Sequence, residues 1–195
     1  MPKERTLPDP KKLAEIEQLV ALSKNGDSEA FTKLYDNFIN PIYRYIYYRV
    51  GPNEAEDLTE LVFLKIWENL HQYEAGRRNF SSWIFRIAHN VVVDHYRSFH
   101  HKDELSDQVA DHREEAKTTR MAEQRLTNDI LNEAMKELKD NYRQILILKY
   151  INDMSNEEIA YVMGRSQAAL RILQFRALKK LKVVLEERGI SSADL

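Results

Sequence analysis

The spacing of apolar residues divides this chain into amphipathic helices separated by short polar breaks. Leu13, Ile16, Leu19 and Val20 share one face of a helix predicted over 12–24, which Asn25-Gly26 ends. Asp27 or Ser28 caps the next helix, whose apolar face is Ala30, Phe31, Leu34, Tyr35 and Phe38. Pro41 restarts or kinks the chain into the aromatic segment IYRYIYYRV, which Gly51-Pro52 closes. Over 54–70 the residues expected inward are Leu58, Val62, Phe63, Ile66, Trp67 and Leu70. A loop from His71 to Phe80 carries Arg77, Arg78 and Asn79. The helix predicted over 81–98 is buried along Ile84, Ile87, Ala88 and Val91, with His95 on the same stripe.

From about 100 to 126 the chain turns polar, and its apolar residues are too sparse to build a core. That stretch predicts a flexible tether. A second compact unit follows over 127–188: an amphipathic helix, the apolar YRQILILKYI helix, and two short helices meeting at a tight turn. Ser155 with Glu158 three residues on is a capping-box pattern. Gly164 stands where the first of the two helices must end, in the left-handed conformation that glycine takes cheaply. Ser166 is a second N-cap, and Leu170, Leu173, Ala177 and Leu181 follow on one face. Rotated away from that stripe lie Gln167, Ala168, Arg171 and Phe175. A helix packed along one stripe, with Gln and Arg near its free N-terminal end, suits the major groove of DNA.

Composition narrows the class. Five Gly and five Pro in 195 residues argue for an all-α protein, since a β-sandwich of this length needs far more turn residues. With no cysteine, disulfides and thiolate metal sites are excluded. No apolar run is long enough to cross a bilayer and no signal-peptide pattern opens the chain, which implies a soluble, cytoplasmic protein without membrane insertion. Glycine-rich phosphate loops, nucleophile elbows and metal-ligand clusters are missing, and His100-His101 has no compelling spacing, so no enzyme, metal or cofactor is expected.

Net charge is −2, but charge is sorted locally. Across 75–97, Arg77, Arg78, Arg86 and Arg97 face a single acid, Asp94; between Arg165 and Lys182 lie six basic residues and no acidic one. Two basic surfaces on a nearly neutral chain imply placement on a nucleic acid in one register. Weak overall attraction implies that something else delivers the chain to DNA.

Three blocks resemble the group-4, or extracytoplasmic-function, sigma factors of bacterial RNA polymerase. They are DSEAFTKLYDNF; AEDLTELVFLKIW followed by NFSSWIFRIAHNVVVDHYR; and YRQILILKYINDMSNEEIAYVMGRSQAALRILQFRALKKL. Together they cover most of residues 27–182, in the family's order and spacing. The resemblance implies two small helical domains, sigma region 2 and sigma region 4 with its helix-turn-helix, joined by a flexible polar linker. The divisions it suggests are an extension over 1–21, a region 2-like domain over 22–100, a linker over 101–126, a region 4-like domain over 127–188 and a tail over 189–195.

It also implies roles. The helix Ala55–Leu70 would dock on the coiled-coil clamp of the polymerase β′ subunit through Asp57, Glu60, Leu61, Leu64 and Glu68, the face left over once the core stripe is assigned. Two exposed leucines on that face are not explained by solvation alone. Promoter melting at the −10 element would fall to Arg77, Arg78, Asn79 and Phe80 in the loop and to Arg86, His89, Asn90 and Arg97 on the following helix. Such a site needs positive charge and planar groups to hold unstacked bases. Trp83 and His95 are read as core, and Asp94 with Arg97 as a local ion pair. Reading of the −35 element would fall to Arg165, Ser166, Gln167, Ala168, Arg171, Phe175, Arg176 and Lys179. Leu61 stands where the family usually has Gln or Glu, and Ala168-Ala169-Leu170 replaces the more usual Gly-Thr-Val. The partners implied are core RNA polymerase through its β′ and β subunits, promoter DNA, and an anti-sigma protein able to clamp the two domains closed. The rival function is a stand-alone helix-turn-helix regulator binding operator DNA; it explains 127–188 but neither the aromatic helix nor the basic loop.

Overall fold

The computed structural model describes residues 10–103 and 131–190, and among these residues there is no strand. The N-terminal unit contains α1 (Pro10–Lys24), α2 (Ser28–Val50), α3 (Pro52–Asn69) with a 3-10 turn over Leu70–Gln72, and α4 (Phe80–Asp103). The C-terminal unit opens with helical turns over 131–136, here α5. It continues through α6 (Asp140–Leu146) with a π-helical turn over Ile147–Ile151, α7 (Asn156–Met163) and α8 (Gln167–Glu187). The tether predicted over 101–126 begins inside α4 and lies otherwise outside the described residues.

Local chemistry explains the boundaries. The Asp27 carboxylate accepts from the Ala30 N–H at 3.0 Å, which decides between the two predicted caps of α2. Pro41 sits inside an unbroken α2 rather than restarting it. Its missing N–H removes one helical hydrogen bond, and Phe38, Ile42, Tyr45 and Ile46, all buried on one stripe around it, hold the helix together. Gly51, at φ 95°, turns the chain into α3, whose first residue is Pro52.

Two expectations about side chains fail. Trp67 is not inward: it is 46% exposed, with one edge on Phe31 at a ring distance of 4.7 Å. Val62, Phe63, Ile66 and Leu70 already complete the buried stripe of α3. Tyr35 likewise lies at the margin, tilted against Phe63.

In the C-terminal unit the capping box of α7 is complete, with Ser155 Oγ accepting from the Glu158 N–H and Glu158 Oε2 accepting from the Ser155 N–H. Gly164 closes α7 at φ 62°, ψ 39°, and Ser166 Oγ accepts from the Ala169 N–H to start α8. Leu170 and Ala177 are fully buried, and Leu173 and Leu181 pack against the core. The helix-turn-helix follows from these caps.

The two units are docked. Helix α4 packs against α7, and α2 packs against the π-helical turn, so that buried apolar residues of both units form one contiguous cluster.

Candidate nucleic-acid interface

The two basic clusters meet different surroundings. On α8 and the turn before it, Arg165, Ser166, Gln167, Ala168, Arg171, Arg176 and Lys179 are all exposed, and Phe175 is 69% exposed. Among the described residues none of these four basic side chains is held in an ion pair. The buried stripe and the Ser166 cap fix which face of α8 points outward. That face presents a guanidinium two turns or less from the helix N-terminus, within the geometry of a major-groove contact.

The arginines of the first cluster are engaged by the protein itself. Arg77 pairs with Glu74 at 2.9 Å, an exposed pair of small energetic weight. Arg78 lies 3.9 Å from Glu157 and over the Tyr161 ring at 5.2 Å, both on α7. Arg97 pairs with Asp94 at 3.7 Å, the local contact expected. Arg86 donates through Nη1 to the Val162 carbonyl at 2.6 Å and lies 3.4 Å from the Tyr161 carbonyl. These are carbonyls at the C-terminal end of α7, where the helix dipole also favours a cation.

Asn79 and Phe80 need correction. Asn79 caps α4: its Oδ1 accepts from the Ser82 N–H at 2.8 Å and from the Ser82 hydroxyl. Its Nδ2 donates to Glu158 Oε1 at 2.7 Å. Glu158 therefore closes its own capping box with one oxygen and holds the other unit's cap with the second. Phe80 is 2% exposed and begins α4 rather than ending a loop; its ring meets Phe38, Tyr73 and Trp83, so no face is open to stack on a base. Trp83 is half-buried in the same aromatic group, and His95 is half-buried beside Tyr96. Asn90 is exposed.

A buried polar junction lies deeper between the units. Arg49, on α2, is fully buried; its Nη1 donates to the Tyr45 hydroxyl at 2.9 Å and its Nη2 lies 2.8 Å from Asp140 Oδ1 of α6. That second contact is charge attraction without hydrogen-bond alignment, since neither Nη2 nor Nε has an aligned acceptor. The Arg49 carbonyl accepts from Arg143 Nη1 at 3.2 Å and from the Tyr96 hydroxyl. Gln144 Nε2 reaches the Tyr45 hydroxyl at 3.3 Å and His89 Nδ1 at 2.7 Å. Burial, then the nearby Arg49 and Arg86 charges, pull the His89 pKa down to about 4. Burial raises the Tyr45 phenol, which stays a hydroxyl.

None of Arg49, Tyr45, Asp140, Arg143 or Gln144 was among the expected functional residues. The signal available in the sequence was an arginine four residues after a tyrosine inside an apolar aromatic helix, which must find a buried partner. That the partner is Asp140, ninety-one positions on, is not encoded in any spacing. Asp57, Glu60, Leu61, Leu64 and Glu68 are all exposed on α3, with Leu61 at 38% and Leu64 at 53%. Trp67 adds an aromatic to that face, which sequence periodicity had turned inward.

Comparison with known proteins adds independent findings. Residues 34–100 match the family model "Sigma-70 region 2", and residues 128–181 match "Sigma-70, region 4". The chain is 33% identical to the ECF RNA polymerase sigma factor BldN of Streptomyces coelicolor, over 89% of this chain and 67% of that protein. It is 28% identical to the ECF RNA polymerase sigma factor SigM of Bacillus subtilis, over 82% of this chain and 96% of SigM. In fold it is similar to CnrH, solved in complex with the cytosolic domain of CnrY, with a TM-score of 0.68 and 23% identity over 89% of this chain and 98% of that one.

Proposed function

This chain belongs to the ECF RNA polymerase sigma factors, and we propose that its two helical units divide the promoter between them and must separate to do so. It binds core RNA polymerase and directs promoter-specific initiation of transcription. Within that activity, the α8 face with Arg171 reads the −35 element, and the surface of Arg77, Arg78, Arg86, His89, Asn90 and Arg97 serves the −10 element. The α3 face of Asp57, Glu60, Leu61, Leu64 and Glu68 docks on polymerase. Asn79 acts by capping α4 under that surface, and Phe80 by packing beneath it.

The observation that carries this reading is the contrast in occupancy. The α8 face is open in the docked chain, whereas Arg78, Arg86 and His89 face α6 and α7. Single-stranded DNA reaches them only when the C-terminal unit moves away. Polymerase, which engages both units, supplies the energy for that movement, and a partner that binds the docked form opposes it. This is where an anti-sigma protein of the kind implied by the sequence acts. The reaction is assembly and strand opening, with no catalytic step assigned to this chain. Its place is the cytoplasm, with polymerase and promoter; no helix among the described residues is long and apolar enough to cross a membrane.

The test is transcription reconstituted with bacterial core polymerase on promoters of the host. Promoter-specific transcripts that depend on this chain are expected. Specific binding of the free chain to duplex operator DNA, with no effect on polymerase, would support the stand-alone regulator instead.

A further inference from the structure

Helix α1 precedes residues 34–100, the part of the chain that the region 2 family model matches. It nevertheless reaches the start of the basic loop through two polar contacts to Tyr73, which in turn holds the loop backbone. The Tyr73 hydroxyl lies 2.5 Å from Glu17 Oε1 of α1 and 2.8 Å from the Arg78 carbonyl of the loop. Lys24 Nζ, at the end of α1, donates to the Tyr73 carbonyl at 2.8 Å. Tyr73 itself is 2% exposed, with its ring against Phe80 and Trp83 at 5.2 Å and 5.5 Å.

This arrangement has a physical direction. The loop from Glu74 to Asn79 has no regular structure to fix it, and Gly76 holds φ 80° within it. At its far end Asn79 is anchored as the α4 cap. Two side chains grip its backbone: Lys24 Nζ on the Tyr73 carbonyl where the loop begins, and the Tyr73 hydroxyl on the Arg78 carbonyl beside Asn79. The single hydroxyl proton lies between the Glu17 carboxylate and the Arg78 carbonyl, so α1 helps to set where the phenol points. Burial and then the Glu17 contact raise the Tyr73 pKa, which keeps the hydroxyl protonated.

We infer that α1 is a positioning element for promoter opening: Glu17 and Lys24 aim Tyr73, and Tyr73 fixes the backbone between Arg77 and Asn79 so that both arginines project to one side. This rests on the assignment of that loop to the −10 element. Tyr73, Glu17 and Lys24 touch no DNA in this account and are positioning residues. A brace needs distance and direction rather than charge on α1, so an acceptor in place of the carboxylate preserves it.

The experiment uses the full chain with core polymerase on a duplex promoter and on the same promoter with a pre-melted −10 bubble, read by permanganate reactivity at equal occupancy. Tyr73→Phe and Glu17→Ala are expected to slow opening of the duplex about fivefold, the worth of one hydrogen bond, with little effect on the pre-melted template. Glu17→Gln, which keeps an acceptor, is expected to open at close to the wild-type rate. Melting temperature is measured on each variant; a loss of duplex and bubble activity in proportion to a lowered melting temperature would show that Tyr73 is a core residue only and overturn the inference. Wild-type opening by Tyr73→Phe and Glu17→Ala, beside slow opening by Arg77→Ala/Arg78→Ala, would overturn the brace and leave the loop assignment standing. Wild-type opening by the double arginine variant as well would remove the assignment together with the brace.

Discussion

The outward face of α8 and the α4 side of the junction carry the same chemistry, arginines on a helical surface, yet they are in opposite states. On α8 and the turn before it, Arg165, Arg171, Arg176 and Lys179 are exposed and held in no ion pair among the described residues. Across the junction Arg78 and Arg86 are spent on α7, and Arg49 is buried against α6. A guanidinium on a carbonyl or a carboxylate must break that contact before it meets a phosphate. On the proposed assignment of the two surfaces, duplex reading is available in the docked chain and single-strand holding only in a separated one. One molecule thus holds an open basic surface and a covered one, and the proposed separation of the units would link them.

The most direct way to break this comparison is to forbid the movement. The chain has no cysteine, so Arg78→Cys with Glu157→Cys supplies a unique pair, which a short bis-maleimide bridges across the junction. Bridging is expected to lower affinity for a single-stranded −10 oligonucleotide about a hundredfold, because the competent form becomes a minor population. Affinity for a −35 duplex should stay within about twofold of the unbridged double variant. Equal loss on both ligands would mean that the two surfaces are not separately gated.

On the open surface the comparison sharpens at one residue. Arg171→Ala is expected to cost about 2 kcal/mol at one base pair of the −35 element and to relax preference there, as measured by binding to a panel of singly substituted duplexes. Lys179→Ala, further from the helix start, should weaken all duplexes alike and flatten the salt dependence. Neither change should alter the docking of the units, since neither side chain touches the N-terminal unit. A uniform loss across the panel for Arg171→Ala would place that arginine on phosphate.

The two surfaces also differ in how much the sequence disclosed. Everything that shapes α8 is local: Ser155 with Glu158, Gly164, Ser166 and a stripe at helical spacing each act within four residues. Those features are therefore visible in a string of letters. Along α4 the stripe was equally visible, but what covers Arg86 and His89 comes from residues more than fifty positions away. The Asn79 cap on Ser82 is local, but a polar, basic stretch makes it look like a loop ligand, and Phe80 reads as an anchor only once the tertiary structure brings Phe38 against it. Trp67 fails for a related reason. Periodicity ranks it with the core stripe, yet Phe63, Ile66 and Leu70 fill the available volume, and a large ring at the margin stays half outside.

His89 tests the masked side by pH. In the docked chain its imidazole faces Arg49 from α2 and Arg86 from its own helix, with Asp140 from α6 only partly offsetting them, and its pKa is down to about 4. An imidazole released toward solvent titrates near 6.5. Above that pH both forms are neutral and docking has its full strength. As pH falls from about 6.5 towards 4, the separated form takes up a proton that the docked form does not, so acid favours separation. With partial solvent access discounted, the ratio of docked to separated chain should fall about tenfold across that range, or about 1.4 kcal/mol. Energy transfer between dyes at Asn90→Cys and Lys179→Cys would follow it. His89→Asn should remove most of the dependence; an unchanged profile would assign it to Asp140 or another carboxylate.

The smallest effect should come from Gly164, where the two surfaces meet. A Cβ added there would lie 3.3 Å from Arg86 Nη1, closer than comfortable contact, while the backbone sits at φ 62°. Gly164→Ala therefore does two things: it strains the left-handed cap between α7 and α8 by about 1 kcal/mol, and it nudges Arg86 off the α7 carbonyls. Gly164→Asn separates them, since asparagine tolerates the left-handed conformation better but adds the same Cβ. Alanine should lower the melting temperature more than asparagine. Both should loosen docking to a similar, slight extent, because the tip of Arg86 is flexible and can yield a few tenths of an ångström. If alanine opens the junction markedly more than asparagine, the strained cap rather than the crowded arginine couples the helix-turn-helix to the masked face, and the ready surface and the hidden one share a single hinge.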